Sequence, residues 1–149
     1  MGTRTAVESR MSAWYMDGNL RHELTVIATF DPDDPCAVNL MFRLASGRAR
    51  TATVARDLLI GGLDSWHVPL GEGLVRVWRT EFEHRPMLRI ELRSAARSGA
   101  PSLLFDVPYR SIQQFVGCTR GSVQTVEEAA WFEAAITDES LFRLLDGAM

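Results

Sequence analysis

Apolar and polar residues alternate along much of the first half of the chain, and this pattern restricts the possible folds. In residues 20–30 the apolar side chains fall at every second position, at Leu24, Val26, Ala28 and Phe30. Successive side chains of a β-strand point to opposite faces, so this spacing predicts a strand with one buried face. Residues 36–44 repeat the pattern, and residues 48–55 continue it after a Ser46-Gly47 turn. We therefore expect an antiparallel sheet.

The strand pattern breaks in residues 54–63, and this break predicts a short helical turn. Residues 56–60 offer Leu58 and Leu59 as a small apolar plug. The pair Gly61-Gly62 is expected to end the turn, because glycine adopts φ > 0 at little cost. Residues 66–70, which follow, are expected to pair weakly as a strand.

The second half of the chain predicts more strands and then helices. Three strands are expected over residues 75–82, 87–93 and 102–107, with Pro86 in the connection between the first two. Pro108 suits the first position of a helix that runs to about Val116. Two further helices are expected, one from a capping box at Thr125 and one over residues 138–145. About seven antiparallel strands with C-terminal helices make an α+β fold.

The length of 149 residues suits one domain, which would bury roughly 70% of its unfolded surface. Residues 1–17 are expected to form a flexible leader, and residues 18–149 a single domain. No apolar run approaches the roughly 20 residues that a membrane-spanning helix needs. Cys36 and Cys118 lie far apart and outside any CxxC pair, which favours a reducing cytoplasm.

The composition excludes several kinds of chemistry. All 16 basic residues are arginine, so the chain cannot supply a Schiff-base lysine or a P-loop lysine. The three histidines follow no metal-binding spacing, and the aspartates at 31, 33 and 34 lack the glycine and distal glutamate of a calcium loop. We predict no catalytic residue, no metal site and no cofactor. The net charge of -3 gives no overall basic surface for nucleic acid.

Four residues are candidates for binding a partner protein: Arg56, Asp57, Arg76 and Trp78. Arg76 and Trp78 are two residues apart in a predicted strand and so share one face, in residue types that are common in interface hot spots. The alternative is a cation–π or stem-packing pair at the edge of the core. Asp57 near a helix start would favour the macrodipole, with Arg56 as its ion-pair partner or solvated. The alternative is that these two residues also contact a partner.

Three groups of residues together resemble one family. They are Phe30-Asp31 with Asp34-Pro35 and Ala37-Val38, then Ala55-Arg56-Asp57-Leu58-Leu59 through Gly62-Leu63, and then Gly73 with Val75-Arg76-Val77-Trp78. In this order they resemble the actinobacterial SsgA-like proteins, and most of all the SsgB branch. The resemblance extends from about Leu20 to the C-terminal helix.

This resemblance implies a non-enzymatic scaffold in sporulation-specific septation. The implied partners are the division protein FtsZ, a sibling SsgA-like protein, or both, and the implied location is the cytoplasm at the division septum. The implied fold is similar to the Whirly class, with curved antiparallel sheets in a homotrimer. The alternative function is single-stranded nucleic-acid binding by a Whirly-like fold. The acidic pI of about 5.6 disfavours that alternative, and we expect no nucleic-acid partner.

Overall fold

Seven antiparallel strands form one sheet in the computed structural model, which describes residues 6–71, 73–93 and 102–121. The strands are β1 (Val7–Asp17), β2 (Leu20–Phe30), β3 (Ala37–Leu44), β4 (Ala49–Ala55), β5 (Val75–Phe82), β6 (Arg85–Leu92) and β7 (Leu103–Pro108). Their order across the sheet is β4-β3-β2-β1-β7-β6-β5. Helix α1 spans Arg56–Leu63, and helix α2 spans residues 109–121. The predicted α+β class with a seven-stranded antiparallel sheet is confirmed.

Strand β1 lies in the middle of the sheet, whereas the sequence analysis expected a flexible leader over residues 1–17. All 11 residues of β1 pair with β2, and part of the strand also pairs with β7. Met11 and Ala13 are buried on one face of β1. Glu8, Arg10 and Ser12 lie exposed on the opposite face and make the segment look polar. Burial of one face, together with pairing on both sides, orders this segment.

The seventh strand is therefore β1 and not the expected weak strand at residues 66–70. That segment makes only two isolated bridges to β5, from Trp66 and Leu70. Strands β5 and β6 are joined by Glu83 and His84, whose φ angles are 49° and 65°. Positive φ at both residues of a two-residue loop is the geometry of a type I′ hairpin turn.

Pro86 lies within β6, although the sequence analysis placed it in the connection between β5 and β6. It pairs with Glu81 of β5. Pairing between β6 and β7 begins one residue later, at Met87 and Pro108. The missing N–H of Pro86 therefore costs the β6–β7 ladder no hydrogen bond.

The inner face of the sheet carries the hydrophobic core and is covered by α1 and α2. Its largest fully buried side chains include Phe30, Phe42, Leu40, Leu88, Ile90 and Val77. Helix α1 adds Leu59 and Leu63 to this core, and α2 adds Ile112, Phe115 and Val116. Leu59 is 0% exposed and Leu58 packs partly buried beside it, as the predicted apolar plug requires.

Two helix boundaries differ from the prediction. Pro108 is the last residue of β7, and α2 begins after it and continues past the expected end at Val116. Helix α1 continues through Gly61 and Gly62 to Leu63, so the glycines do not end it. The helices predicted from Thr125 and over residues 138–145 lie outside the described residues.

Gly62 sits at a close approach between α1 and β5. A Cβ atom at this position would lie 2.5 Å from Val77 Cγ2 and 3.3 Å from Leu88 Cδ1. Glycine is therefore required here by the distance between helix and sheet, and not by a turn. A Cβ at Gly61 would meet only the end of the Leu70 side chain, at 3.3 Å.

These two glycines give a matched pair of substitutions with opposite expected effects. Alanine is favoured over glycine inside a helix by about 1 kcal/mol. Gly61→Ala should leave the free energy of unfolding unchanged or raise it by up to about 1 kcal/mol, because Leu70 can move aside. Gly62→Ala should lower it by about 1–3 kcal/mol through overpacking against Val77. Urea denaturation of both variants measures the difference, and a Gly62→Ala protein as stable as Gly61→Ala would contradict the close contact.

Candidate functional site

Arg76 and Trp78 lie on the sheet face opposite the helices, which we call the outer face. Val77 between them is 0% exposed and points toward Gly62 of α1. Since side chains alternate along a strand, its two neighbours point away from the core. The prediction that Arg76 and Trp78 share a face is confirmed by this arrangement. Both side chains are partly buried.

A row of charged and aromatic side chains crosses five strands on the outer face. Trp78 pairs with Arg89, Arg89 pairs with Asp106, Asp106 pairs with Trp14, and Trp14 pairs with Glu23. Directly opposed residues in an antiparallel sheet stand on the same face with their Cβ atoms about 5 Å apart. The strand register thus places Trp78 at one end of a continuous polar and aromatic row.

Asp106 is the centre of this row and is 0% exposed. Arg89 binds it in a bidentate manner, with Nε donating to Oδ1 at 2.8 Å and Nη2 donating to Oδ2 at 3.0 Å. A second guanidinium, that of Arg21, places Nη2 3.7 Å from Oδ2. The hydrogen bond to Asp106 raises the pKa of Arg89. Asp106 is thereby compensated in the way that a buried charge requires.

Arg21 is held mainly by aromatic rings. Its Cζ atom lies 3.4 Å from the ring centroid of Phe82 and 5.1 Å from that of Trp14. Within the described residues, its Nε and Nη1 atoms are buried without a hydrogen-bond partner. Burial accordingly lowers the pKa of Arg21. A cavity of about 360 Å³ adjoins these side chains and is also lined by Glu23, Glu83, Arg85 and Met87.

Arg76 forms an ion pair with Glu91, its cross-strand neighbour. The Nε atom of Arg76 donates to Glu91 Oε1 at 2.7 Å, and the two side chains are 33% and 12% exposed. This contact fixes Arg76 beside Trp78 and leaves a third of its surface open to a partner. Arg76 is thus oriented by its ion pair within the outer face.

Arg56 and Asp57 lie on the other side of the sheet, at the start of α1. Arg56 Nε donates to Thr119 Oγ1 of α2 at 3.0 Å, and its Cζ is 6.0 Å from the Phe30 ring centroid. Asp57 is exposed in the first turn of the helix. The structure therefore gives Arg56 a hydroxyl partner on α2 in place of the expected Asp57. The four sequence candidates do not form one site.

The segment between α1 and β5 exposes apolar side chains that the sequence analysis did not select. Trp66, Val68 and Leu74 are 42%, 59% and 53% exposed. This segment is bonded along the outer edge of β5, with His67 N donating to Arg79 O and Leu70 N to Val77 O. Large apolar residues in a segment that also contains Ser65, Gly71 and Gly73 were the available signal. Exposed apolar residues in such a group are typical of interaction surfaces.

No group of three or more histidine, cysteine, aspartate or glutamate residues in the described part of the chain could hold a metal ion. Within the same residues, no helix is long and apolar enough to cross a membrane. Cys36 and Cys118 are both free and exposed. The outer face displays arginines, carboxylates and the tryptophans Trp14 and Trp78.

Two aspartates, one buried and one exposed, test how strongly the outer-face row stabilises the fold. Asp106→Ala should lower the free energy of unfolding by about 3–5 kcal/mol, because it leaves the Arg89 guanidinium unpaired and partly buried. Asp17→Ala removes an exposed carboxylate 3.9 Å from His22 and should cost less than about 1 kcal/mol. Chemical denaturation compares the two variants. Equal effects would mean that the Asp106 network is not a stabilising centre.

The sequence model of the SsgA family, described as Streptomyces sporulation and cell division protein, matches residues 24–128. A comparison with the curated proteins gives no significant match.

Similar solved structures include SsgB, whose mutations correlate with longitudinal cell division during sporulation of Streptomyces coelicolor. It is 28% identical, with 80% of this chain and 90% of that chain covered, and a TM-score of 0.69. An SsgA-like sporulation-specific cell division protein from Thermobifida fusca is 20% identical, with 87% and 98% covered and a TM-score of 0.69. Outer surface protein E shares the fold alone, at 5% identity over 73% and 85% of the two chains and a TM-score of 0.53. The family match spans most of the sequence, and this chain belongs to the SsgA family of sporulation and cell-division proteins.

Proposed function

We propose that this protein is a non-enzymatic regulator of sporulation-specific septation that acts by binding a division partner. The partner is FtsZ, a sibling SsgA-like protein, or both, and the site of action is the cytoplasmic side of the division septum. Membership of the SsgA family carries the role in sporulation and cell division.

The outer face near Trp78 is the surface that best suits partner binding. Trp78 and Arg76 are of the residue types that dominate interface hot spots, and Arg76 is held in position by its ion pair with Glu91. A preoriented side chain loses little conformational entropy when it binds. The exposed Trp66, Val68 and Leu74 flank the same edge strand, so the partner surface can extend beyond β5.

Arg56 and Asp57 remain candidates for a second contact on the helix side of the sheet. Asp57 is exposed, whereas Arg56 is partly buried through its bond to Thr119. Asp57 is therefore the better candidate for direct contact, and Arg56 would act by fixing α1 against α2.

Trp78→Ala tests the outer-face site. If Trp78 contacts the partner, this substitution should weaken binding by about 2 kcal/mol or more. Its melting temperature should change little, because Trp78 is not part of the inner core. Arg110→Ala, at an exposed arginine of α2 on the opposite side of the sheet, serves as the control and should bind normally. Co-sedimentation with FtsZ polymers, with and without the sibling protein, is measured beside a thermal melt.

The outcomes of this experiment separate site from function. A folded Trp78→Ala protein that co-sediments like wild type removes the proposed site. A wild-type protein that never co-sediments, alone or with the sibling protein, removes the proposed partner. A large loss of melting temperature would instead assign Trp78 to the packing of the domain.

We also propose that the protein is a homo-oligomer, with a trimer as the expected state. Apolar side chains occur on both faces of β3: Leu40 and Phe42 lie in the core, and Ala37 and Met41 are partly buried on the outer face. A second chain packed on the outer face would remove this apolar surface from water.

Multi-angle light scattering at tens of micromolar protein tests this assembly. The expected mass is three times the 16.7 kDa of one chain. A single species at the mass of one chain would exclude the oligomer. A species of twice that mass would retain the oligomer but exclude the trimer.

A further inference from the structure

A groove lies on the inner face of the sheet. It is on the opposite side from the outer-face surface around Arg76 and Trp78, which we call the Trp78 surface. It has a volume of about 480 Å³ and is lined by Tyr15, Leu44, Leu103 and Phe105, with Arg48 and Arg50 on its β4 side. Leu44 ends β3 and Leu103 begins β7. The groove lies near the N-terminal ends of β4 and β7. Helices α1 and α2 follow the C-terminal ends of these two strands, so they cover the other end of this face.

The groove combines apolar walls with positive charge. Arg50 is paired with Phe42 in register and therefore stands on the same face as the core. Both Arg48 and Arg50 are exposed, and neither guanidinium makes an ion pair or hydrogen bond within the described residues. Among the described residues, no carboxylate lines the groove, although the whole chain has a net charge of -3. The groove is thus locally positive, although the chain as a whole is negative.

The position of the groove favours an extended protein segment as its occupant. Strand β4 is an edge strand, so its outer backbone groups are open to an added strand. The rings of Phe42 and Phe105 stack on each other at 4.0 Å and are 1% and 3% exposed. Neither ring offers a free face to a nucleic acid base, and the third ring of the groove, Tyr15, already contacts the rings of His22 and Phe105 at centroid distances of 6.1 and 5.6 Å. Two arginines without an ion-pair partner lie beside an apolar groove. This arrangement is complementary to a ligand in which carboxylates flank an apolar side chain.

We propose that this groove binds an acidic segment of a partner protein, with an apolar side chain inserted between Tyr15 and Leu103 and flanking carboxylates on Arg48 and Arg50. This surface is separate from the Trp78 surface, on the opposite face of the sheet. The inference does not depend on the proposed function, because it rests only on the charge and shape of the groove.

A defined peptide tests the groove. The probe is a fluorescein-labelled peptide in which a phenylalanine–leucine pair is flanked on each side by two glutamates, titrated with the full-length protein by fluorescence anisotropy. The double variant with Arg48→Glu and Arg50→Glu should weaken binding at least about tenfold. Arg43→Glu makes the same kind of charge change at an exposed arginine on the outer face, and should weaken it by less than about twofold. A probe with alanines in place of phenylalanine and leucine should also bind more weakly.

Several results would overturn the proposal. They are no binding of the peptide to the full-length protein, or an equal loss of affinity in the Arg43→Glu variant. A labelled single-stranded oligonucleotide that binds more tightly than the peptide, in a manner dependent on Arg48 and Arg50, would assign the groove to nucleic acid. A synthetic peptide of residues 122–149 that displaces the probe at lower concentration than the unlabelled probe would assign it to this chain's own sequence. Loss of FtsZ co-sedimentation has no bearing on any of these outcomes.

Discussion

The contact between α1 and the sheet at Gly62 determines what the two faces of β5 can do. With no side chain at this position, the helix reaches Val77 and Leu88 directly, and Val77 becomes part of the core. Because side chains alternate along a strand, Arg76 and Trp78 then point to the outer face. A helix held further from the sheet would leave β5 with two half-covered faces. The division between a packed inner face and a polar outer face thus begins at one glycine.

The outer face has its own organisation, because a buried carboxylate there must be matched by charge. Asp106 can be buried only where Arg89 and Arg21 reach it, and this happens only in one register of β6, β7 and β1. A slip by one residue would move Asp106 into the apolar core. A buried ion pair is a weak source of net stability, yet it disfavours every register in which the charge lacks its partner. The network therefore selects the strand pairing that aligns Trp78 with the row.

Much of the sheet was predictable because its signal is local. The alternation in residues 20–30 and 36–44 defines β2 and β3 to within a residue, since each strand has one continuous apolar stripe. Strand β1 was not predicted, because its inward face includes the polar Ser9 and its outward face carries the charged Glu8 and Arg10. The two glycines of α1 were interpreted as a stop signal because local rules contain no information on how close another element lies. Distance to Val77 is a property of the fold alone.

In the candidate site too, some features follow from the local sequence, whereas others depend on residues that are far apart in the chain. That Arg76 and Trp78 share a face follows from their spacing, and the structure agrees. The hydrogen bond from Arg56 to Thr119 joins residues 63 positions apart, so no local pattern could predict it. The same holds for the meeting of Arg21, Phe82 and Asp106, which come from three separate strands. The resemblance to the SsgA family supplied the biological role, which no arrangement of these side chains states by itself.

The bonded segment along β5 makes the two edges of the sheet unequal. Val77 and Arg79 already exchange backbone hydrogen bonds with residues 65–70, so this edge offers no free ladder over that stretch. Only β4 presents an open edge within the described residues. Growth of a sheet from chain to chain needs two open edges on every molecule, whereas one open edge allows two chains to join and then stops. Among the described residues, continuous strand addition through β4 and the Val77–Arg79 stretch of β5 is therefore blocked.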